Sequence, residues 1–455
     1  MKILSRRLVL VLLAAFMLAG CDLFEITDRA DPNGPSVDDI LDNPTRDALI
    51  NLAAGVEASA RVDIDLYLID VGVIGREYWR FLSADPRFTT DLLGRCNSVL
   101  DNNSFYTTRP WGARYVTIRN ANIMRQALDL NATLSDAEKA GGRGFAKTWQ
   151  ALQYLQNLNM TFSNGIRFIG PGDDDPGPVF GYAAALAEIA DLLDSGAADL
   201  AAGGSEFFFP LSNGFSHLDG SSGSMTPSEF RMVNRGVAAR IALYAGDDAD
   251  ALVLLGGSFL DTAGDLTTGV AHSFSTGSGD IVNPFFTPPD NPEGDVILAH
   301  PSYVDDLEAG DTRADKVLLG VERTLDFLTS SYGFFVYKNS LSPITIIRNG
   351  ELVLVRAEAR ARTGDLAGAI TDLDVVRNAA GLPNYSGAAE EGAVLDEVLN
   401  QRRYELYGEG QRWIDVRRFG QLNTLPIDRD GSEGTACGVP DEVWEFFPIP
   451  LNENV

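Results

Sequence analysis

The chain has 455 residues, 45% of them hydrophobic and 22% charged, with 64 acidic side chains against 36 basic ones and a formal charge of −28. That apolar content is ordinary for a folded chain, and the length allows roughly two to three average domains. An acidic balance of this size argues against nucleic acid as a partner and against adsorption to anionic lipid, although a saline habitat produces the same bias.

Lys2, Arg6 and Arg7 stand before and at the edge of an apolar run from Leu8 to Leu18, and Leu18-Ala19-Gly20 leads into Cys21. A charged start, a short apolar stretch and small residues before a cut describe a secretory signal peptide over residues 1–20. The run falls short of the roughly 20 apolar residues that a membrane-spanning helix needs. Leu-Ala-Gly-Cys resembles the bacterial lipobox, in which the cysteine thiol receives a diacylglycerol and becomes the new N-terminus. Cys21 is thus the expected lipid attachment, since two or more acyl chains anchor a protein stably. Residues 21–36 are polar, with Pro32, Gly34 and Pro35, and read as a tether. An ordinary secreted protein with a cysteine at its cleavage site is the plainer alternative. In an oxidising compartment the other two cysteines, Cys96 and Cys437, are either a pair closing a long loop or two free thiols.

From Val37 onward the periodicity is mostly helical. Phe145, Trp149, Leu152, Leu155, Leu158 and Phe162 recur at steps of three and four, which builds one apolar stripe. Tyr182, Ala185, Ile189, Leu192 and Leu193 repeat the pattern, as do Val233, Val237, Ile241 and Tyr244, and later Leu366, Ala369, Ile370, Leu373 and Val376. Two segments look like copies: Ala238–Asp247 precedes Ala251 by the spacing with which Arg356–Asp365 precedes Ala369. In each, a helix rich in small residues ends at Gly-Asp and a second helix follows. The glycine supplies a left-handed C-cap and the aspartate caps the next helix. Close packing through alanines is the logic of a tetratricopeptide hairpin, though the full tetratricopeptide pattern is absent. Between the helices, residues 203–227 are rich in Gly and Ser, and 260–343 mix Gly, Pro and Asn with aromatics, the composition of long functional loops.

Catalytic signals are missing. The three histidines, His217, His272 and His300, form no metalloprotease spacing, and no nucleophile elbow, phosphate loop or dinucleotide fingerprint appears. The acidic segments Gly172–Gly177 and Asp428–Gly431 space oxygen ligands as calcium loops do, without completing an EF-hand, and read as solvated turns. No metal or cofactor is expected. Binding is better supported. A sugar presents an apolar face that stacks on an aromatic ring and hydroxyls that want planar polar partners. Tyr78, Trp79 and Phe88 near the N-terminus, and Tyr332, Phe334 and Asn339 in the central region, are the expected ligand contacts. Trp111, Trp149 and Trp413 fall on helical stripes or helix entries and are expected in the core. Arg402, Arg403, Arg412, Arg417 and Arg418 crowd beside Glu405, Glu409 and Asp415, with Trp413 and Ile414 among them. Bidentate guanidinium–carboxylate pairing would lock two helices there, a scaffold rather than an active site.

Several of these segments, in this order, resemble the SusD/RagB family of surface lipoproteins for nutrient uptake in Bacteroidetes-like bacteria. Trp111–Leu128 is similar to its second helix. Arg348–Ala359, Ala369–Pro383, Arg402–Arg418 and Phe447-Pro448-Ile449-Pro450 resemble its C-terminal motifs, with Gly408-Glu409 where the family usually has Phe-Glu. The resemblance implies a mainly α fold of tetratricopeptide-like hairpins carrying a loop-rich ligand-binding half with few short strands. It implies one domain over 37–455: an N-terminal helical part over 37–260, a loop-rich insertion over 261–343, and a C-terminal helical part over 344–455. It implies a non-catalytic protein moored to the outer membrane and facing outward. Such a protein binds a glycan or peptide and hands it to a SusC-like TonB-dependent barrel. A tetratricopeptide scaffold for outer-membrane assembly and a lipid-anchored polysaccharide hydrolase are the alternatives.

Overall fold

The computed structural model describes residues 36–170, 177–289, 291, 294–432 and 437–453. The signal peptide, Cys21 and nearly all of the tether lie outside the described residues, as do residues 171–176 of the Asp-rich segment.

Several helices open on side-chain caps that the sequence supplies, at Ser36, Thr45, Ser135, Thr226 and Asp365. The first helices are α1 (Val37–Asp42), α2 (Arg46–Ser59) and α3 (Ile64–Ile74), followed by strand β1 (Tyr78–Phe81). Two long helices come next, α4 (Phe105–Leu130) and α5 (Asp136–Thr161); Ser135 and Glu138 cap α5 reciprocally. Strands β2 (Ile166–Arg167) and β3 (Val179–Phe180) pair with each other, and α6 (Tyr182–Ala201) follows. Helix α7 (Pro227–Ala245) starts with a Thr226–Glu229 capping box and Pro at its first turn, then α8 (Asp248–Leu255). The segment expected to be loop-rich holds β4 (Gly269–His272), β5 (Val296–Ala299), a short α9 (Ser302–Asp305), β6 (Val317–Leu325) and β7 (Leu328–Phe334). Strand β8 (Ile344–Arg348) leads into α10 (Asn349–Arg362), α11 (Leu366–Ala379), α12 (Glu391–Glu405) and α13 (Arg412–Arg418).

The helices form a continuous stack. Helix α2 packs on α4, α4 on α5, α5 on α6 and α6 on α7; α7 meets α8 and α10, and α10 meets α11 and α12. The stripe of α5 faces inward, with Phe145, Trp149, Leu155 and Leu158 at most 2% exposed, while Phe162 lies just past the helix end. The two similar turns adopt the same geometry: Gly246 and Gly364 sit at φ 79° and 89° after α7 and α10. They differ at the next residue. Asp365 accepts the Gly368 N–H at 2.9 Å and caps α11, whereas Asp247 makes no side-chain cap on α8.

The strands gather into a four-stranded antiparallel sheet of order β1-β5-β7-β6, plus a β4–β8 pair. The central region is therefore less irregular than its composition implies. Strands β6 and β7 form a long hairpin whose register slips between Leu319 and Arg323. The β1–β5 and β5–β7 pairings are non-local, and the β6 and β7 segments carry no continuous run of Val or Ile to announce them.

The Arg-rich C-terminal block is interior. Arg402 Nε donates to Asp415 Oδ2 at 2.7 Å, with both side chains at most 1% exposed. Arg418 joins Asp415 at 2.9 Å and reaches Glu358 on α10, so α12, α13 and α10 are tied together. Glu405 and Glu409 turn to Arg348 at 2.6 and 2.8 Å instead of to the arginines of their own segment. Arg403 pairs with Asp306 at 2.9 Å, and Arg417 stacks over Phe162 and Trp413 while donating to two backbone carbonyls. Burial pulls the Arg412 guanidinium down to about 10, against the neighbouring Asp415 and Glu77. Trp413 is fully buried, and Trp111 is 5% exposed.

Candidate functional site: the tip of the β6–β7 hairpin

Strands β6 and β7 are joined by two residues, Asp326 and Phe327, with φ of 56° and 66°. A two-residue hairpin turn of this hand requires positive φ at both positions and favours Asn and Gly. Asp tolerates that region, but for a bulky Phe it is a sterically costly conformation that the surroundings must enforce. A second segment with the same character joins through Arg95. Cys96 and Asn97 have φ of 56° and 61°, and Cys96 is disulfide-bonded to Cys437. Arg95 pairs with the Asp326 carboxylate and lays its guanidinium over the Phe327 ring, 5.3 Å from the centroid.

Buried ion pairs hold the tip from beneath. Arg429, 2% exposed, donates to the Asp326 carboxylate at 2.8 Å and to its carbonyl at 3.0 Å. The same guanidinium pairs with Asp441 at 2.9 Å and bonds the Thr89 carbonyl at 2.6 Å. One residue back, Asp428 accepts from His300 Nε2 at 2.7 Å and Trp79 Nε1 at 3.1 Å, and pairs with Arg76 at 3.1 Å. Burial pushes the Asp428 carboxyl up, but Arg76 and His300 outweigh it and hold it below the usual carboxylate range. Asp428 is therefore a buried ion-pair partner, which corrects the reading of Asp428–Gly431 as a solvated turn. Among the described residues no three His, Cys, Asp or Glu side chains gather as a metal site would need. Above this foundation Phe327 stays 52% exposed. A rigidly held aromatic ring with a guanidinium beside it binds flat, hydroxylated ligands by stacking and donated hydrogen bonds.

Two comparisons bear on the fold, one over a C-terminal segment and one over most of the chain. Residues 335–444 match the sequence profile of the SusD family. The surface glycan-binding protein A from Bacteroides thetaiotaomicron, in complex with laminarihexaose, aligns over 90% of this chain and 97% of its own at 14% identity, with a TM-score of 0.68. A SusD superfamily protein from Parabacteroides distasonis aligns over 90% and 97% at 16% identity, TM-score 0.66. Another from Bacteroides vulgatus aligns over 90% and 96% at 15% identity, TM-score 0.65. The chain has the fold of the SusD superfamily. No curated protein matches its sequence.

In this SusD-like fold most of the aromatics expected at a ligand are interior. Tyr78 is fully buried and donates to the Leu68 carbonyl at 2.7 Å. Its ring lies so close to Gly72 that a Cβ there would fall 2.1 Å from Tyr78 Cζ, so only glycine fits. Trp79 and Phe88 are 4% and 2% exposed, and the Arg80 guanidinium covers the Phe88 ring at 4.5 Å. Phe334 packs on Tyr78, Phe285 and Tyr407 at 4.9–5.4 Å. These four are corrections: Tyr78 and Trp79 lie on β1, which is covered on both faces, with α3 on one side, and Phe88 and Phe334 are buried outside it, at 2% and 4% exposure. Tyr332 is half-buried on β7. Asn339 is exposed, and its side-chain Oδ1 accepts the Leu341 N–H at 2.9 Å in a turn. Of the expected residues, Tyr332, Phe334 and Asn339 follow the tip within about a dozen residues, and Trp79 lies in the network under it through Asp428. Arg95, Asp326 and Phe327 were not legible, because Asp-Phe is not a preferred turn pair and no Gly or Asn marks a turn between Leu325 and Leu328; Arg429 entered only as part of the Asp428–Gly431 segment.

Proposed function

We propose that this protein is a cell-surface binding lipoprotein that captures a glycan at the hairpin tip and passes it to a SusC-like TonB-dependent outer-membrane transporter. The observation that carries this reading is Phe327. Its ring stands half-exposed on a strained turn that two arginines and a disulfide-bonded segment hold in place. Side chains and backbone are kept in costly conformations where a ligand needs a preformed surface. A relative of the same fold captured with laminarihexaose supports an oligosaccharide over a peptide.

The reading needs no chemistry on the ligand: the protein binds and releases. Cys21 carries the lipid, and the polar residues behind it let a lid over the barrel swing while keeping its effective concentration high. Residues 37–455 act as a single body in this cycle. The test is a panel of soluble oligosaccharides titrated into the protein truncated after Cys21. Saturable binding to one glycan class is the expected result, and no binding across the panel contradicts the reading. In cells, Cys21→Ala is expected to release the protein from membranes and abolish uptake; a variant that stays bound without a transporter contradicts the anchor.

A further inference from the structure

Away from the hairpin tip, a slot of about 280 Å³ opens between α2, the loop at 210–215 and the start of the segment after β4. Ala54 and Ala58 of α2 form its exposed lip. Trp149 and Phe215, rings 5.8 Å apart, form its apolar wall. Strand alternation explains the rest: His272 points inward to the slot, while Ala271 points to the opposite face of β4. Trp149 and His272 also line a second recess of about 40 Å³ deeper in the protein, together with Gln153 and Asn159.

This recess gathers polar atoms without partners. Trp149 Nε1, Gln153 Oε1 and Asn159 Oδ1 make no hydrogen bond, although their residues are 1%, 1% and 4% exposed. Leaving such groups unmet costs about 1–3 kcal/mol each, so three around one cavity call for an occupant. The donor and acceptors are uncharged. Burial drives the His272 imidazole down to about 3, so it stays neutral and offers one donor and one acceptor. The charged side chains that line the recess are already paired, Arg240 with Glu351 at 2.6 Å and Glu409 with Arg348 at 2.8 Å, and further charge stands at the rim. Glu57 accepts the Ser212 N–H at 3.1 Å, and Arg61 is tied to Asp280 at 2.6 Å and the Ser273 carbonyl at 2.8 Å.

We propose that the slot is a second binding site, for one uncharged sugar ring, either a free monosaccharide or the end residue of a longer glycan. Slots near the lower end of about 300–1,000 Å³ hold a single small ligand. The Trp149 and Phe215 wall faces the apolar side of the ring. The recess is several times the roughly 10–15 Å³ that one water needs, enough for an exocyclic hydroxymethyl group to meet the three unpartnered atoms. The charges at that depth, Arg240 and Glu409, are held in ion pairs of their own, which favours an uncharged ligand over an ionic one.

Saturation-transfer NMR and calorimetry with the methyl glycosides of glucose, galactose, mannose and xylose test the site. The proteins are the truncated wild type, Ala58→Phe, Gln153→Met and Phe327→Ala. Ala58→Phe plugs the lip from an exposed helix position, and Gln153→Met removes the polar end at equal length. Expected is a methyl glycoside that binds wild type and Phe327→Ala alike and binds both slot variants about tenfold or more weakly, a difference of about 1.4 kcal/mol. Gln153→Met melts no lower than wild type, because it deletes an unmet buried group. If Gln153→Met does not fold, Ala58→Phe decides alone. Absence of binding by every glycoside together with oligosaccharide affinity unchanged in Ala58→Phe, or binding that survives both slot variants, overturns the proposal. Loss in Phe327→Ala only assigns the signal to the hairpin tip and also overturns it. An oligosaccharide that loses affinity in Ala58→Phe while free glycosides do not bind identifies a chain end as the occupant.

Discussion

Two networks of buried arginine and carboxylate stand at opposite ends of the same chemistry. In the seam of α10, α12 and α13, Arg402, Arg418, Asp415 and Glu358 pair chiefly with one another, and Glu358 also takes Arg362 of its own helix at 3.0 Å. Beneath the hairpin, Arg429 and Arg95 meet Asp326 and hold a turn that pushes Phe327 into solvent. The seam spends its charge on fixing helices. The tip spends it on presenting a ring. A guanidinium–carboxylate motif therefore says little about role until its far side is known: Trp413 in the seam is interior, and Phe327 at the tip is half-exposed, where we propose the ligand binds.

The largest effect that separates the two regions is on stability. Arg402→Ala leaves Asp415 with one of its two partners in the interior, and such truncations cost about 3–5 kcal/mol. The melting temperature should fall by many degrees; Arg412→Ala should lower it less, since its guanidinium is already weakened by burial. Unchanged melting with lost ligand binding would move this block from scaffold to site. Smaller and of opposite sign is Phe327→Gly. Glycine removes the positive-φ penalty, worth about 1 kcal/mol, so thermal stability should hold or rise while ligand affinity collapses.

A pH series sharpens the scaffold side. Burial raises the Glu77 carboxyl from 4.5 to about 8, even though it accepts the Gly408 N–H. Between those values the unfolded chain has released this proton and the folded chain has kept it, so stability falls as pH rises through that window. Glu77→Gln should therefore gain a few degrees over wild type at pH 8 and little near pH 4.5. A gain independent of pH would show that ionisation of Glu77 is not the cause. His272 works the other way, at the acid end. Its folded value of about 3 lies below the ordinary 6.5, so the unfolded chain takes up a proton first and stability drops as pH falls below 6.5.

The helical stack was legible because its stripes repeat every three to four residues and its caps are local. Ser135 with Glu138, Thr226 with Glu229 and the paired Gly-Asp turns can all be read without a partner strand. The C-terminal motifs were legible for a related reason: Arg, Trp and Asp crowd within a few turns of helix. The sheet was not. Strand β1 pairs with β5 more than 200 residues away, and nothing in Tyr78-Trp79-Arg80-Phe81 shows that both faces are covered. The ring that reaches solvent, Phe327, sits between Asp326 and Leu328 with no glycine or asparagine to mark a turn. The conformation is imposed from outside by Arg95 and Arg429, and long-range enforcement leaves no local trace.

The central claim is that the hairpin tip binds a glycan through Phe327. Titration calorimetry of Phe327→Ala beside wild type, with the best oligosaccharide from the panel and a melting curve for each, tests it most directly. The account predicts affinity lower by about tenfold or more, in the range of a lost stacking contact, with the melting temperature within a degree or two. Equal affinity in both proteins would contradict it.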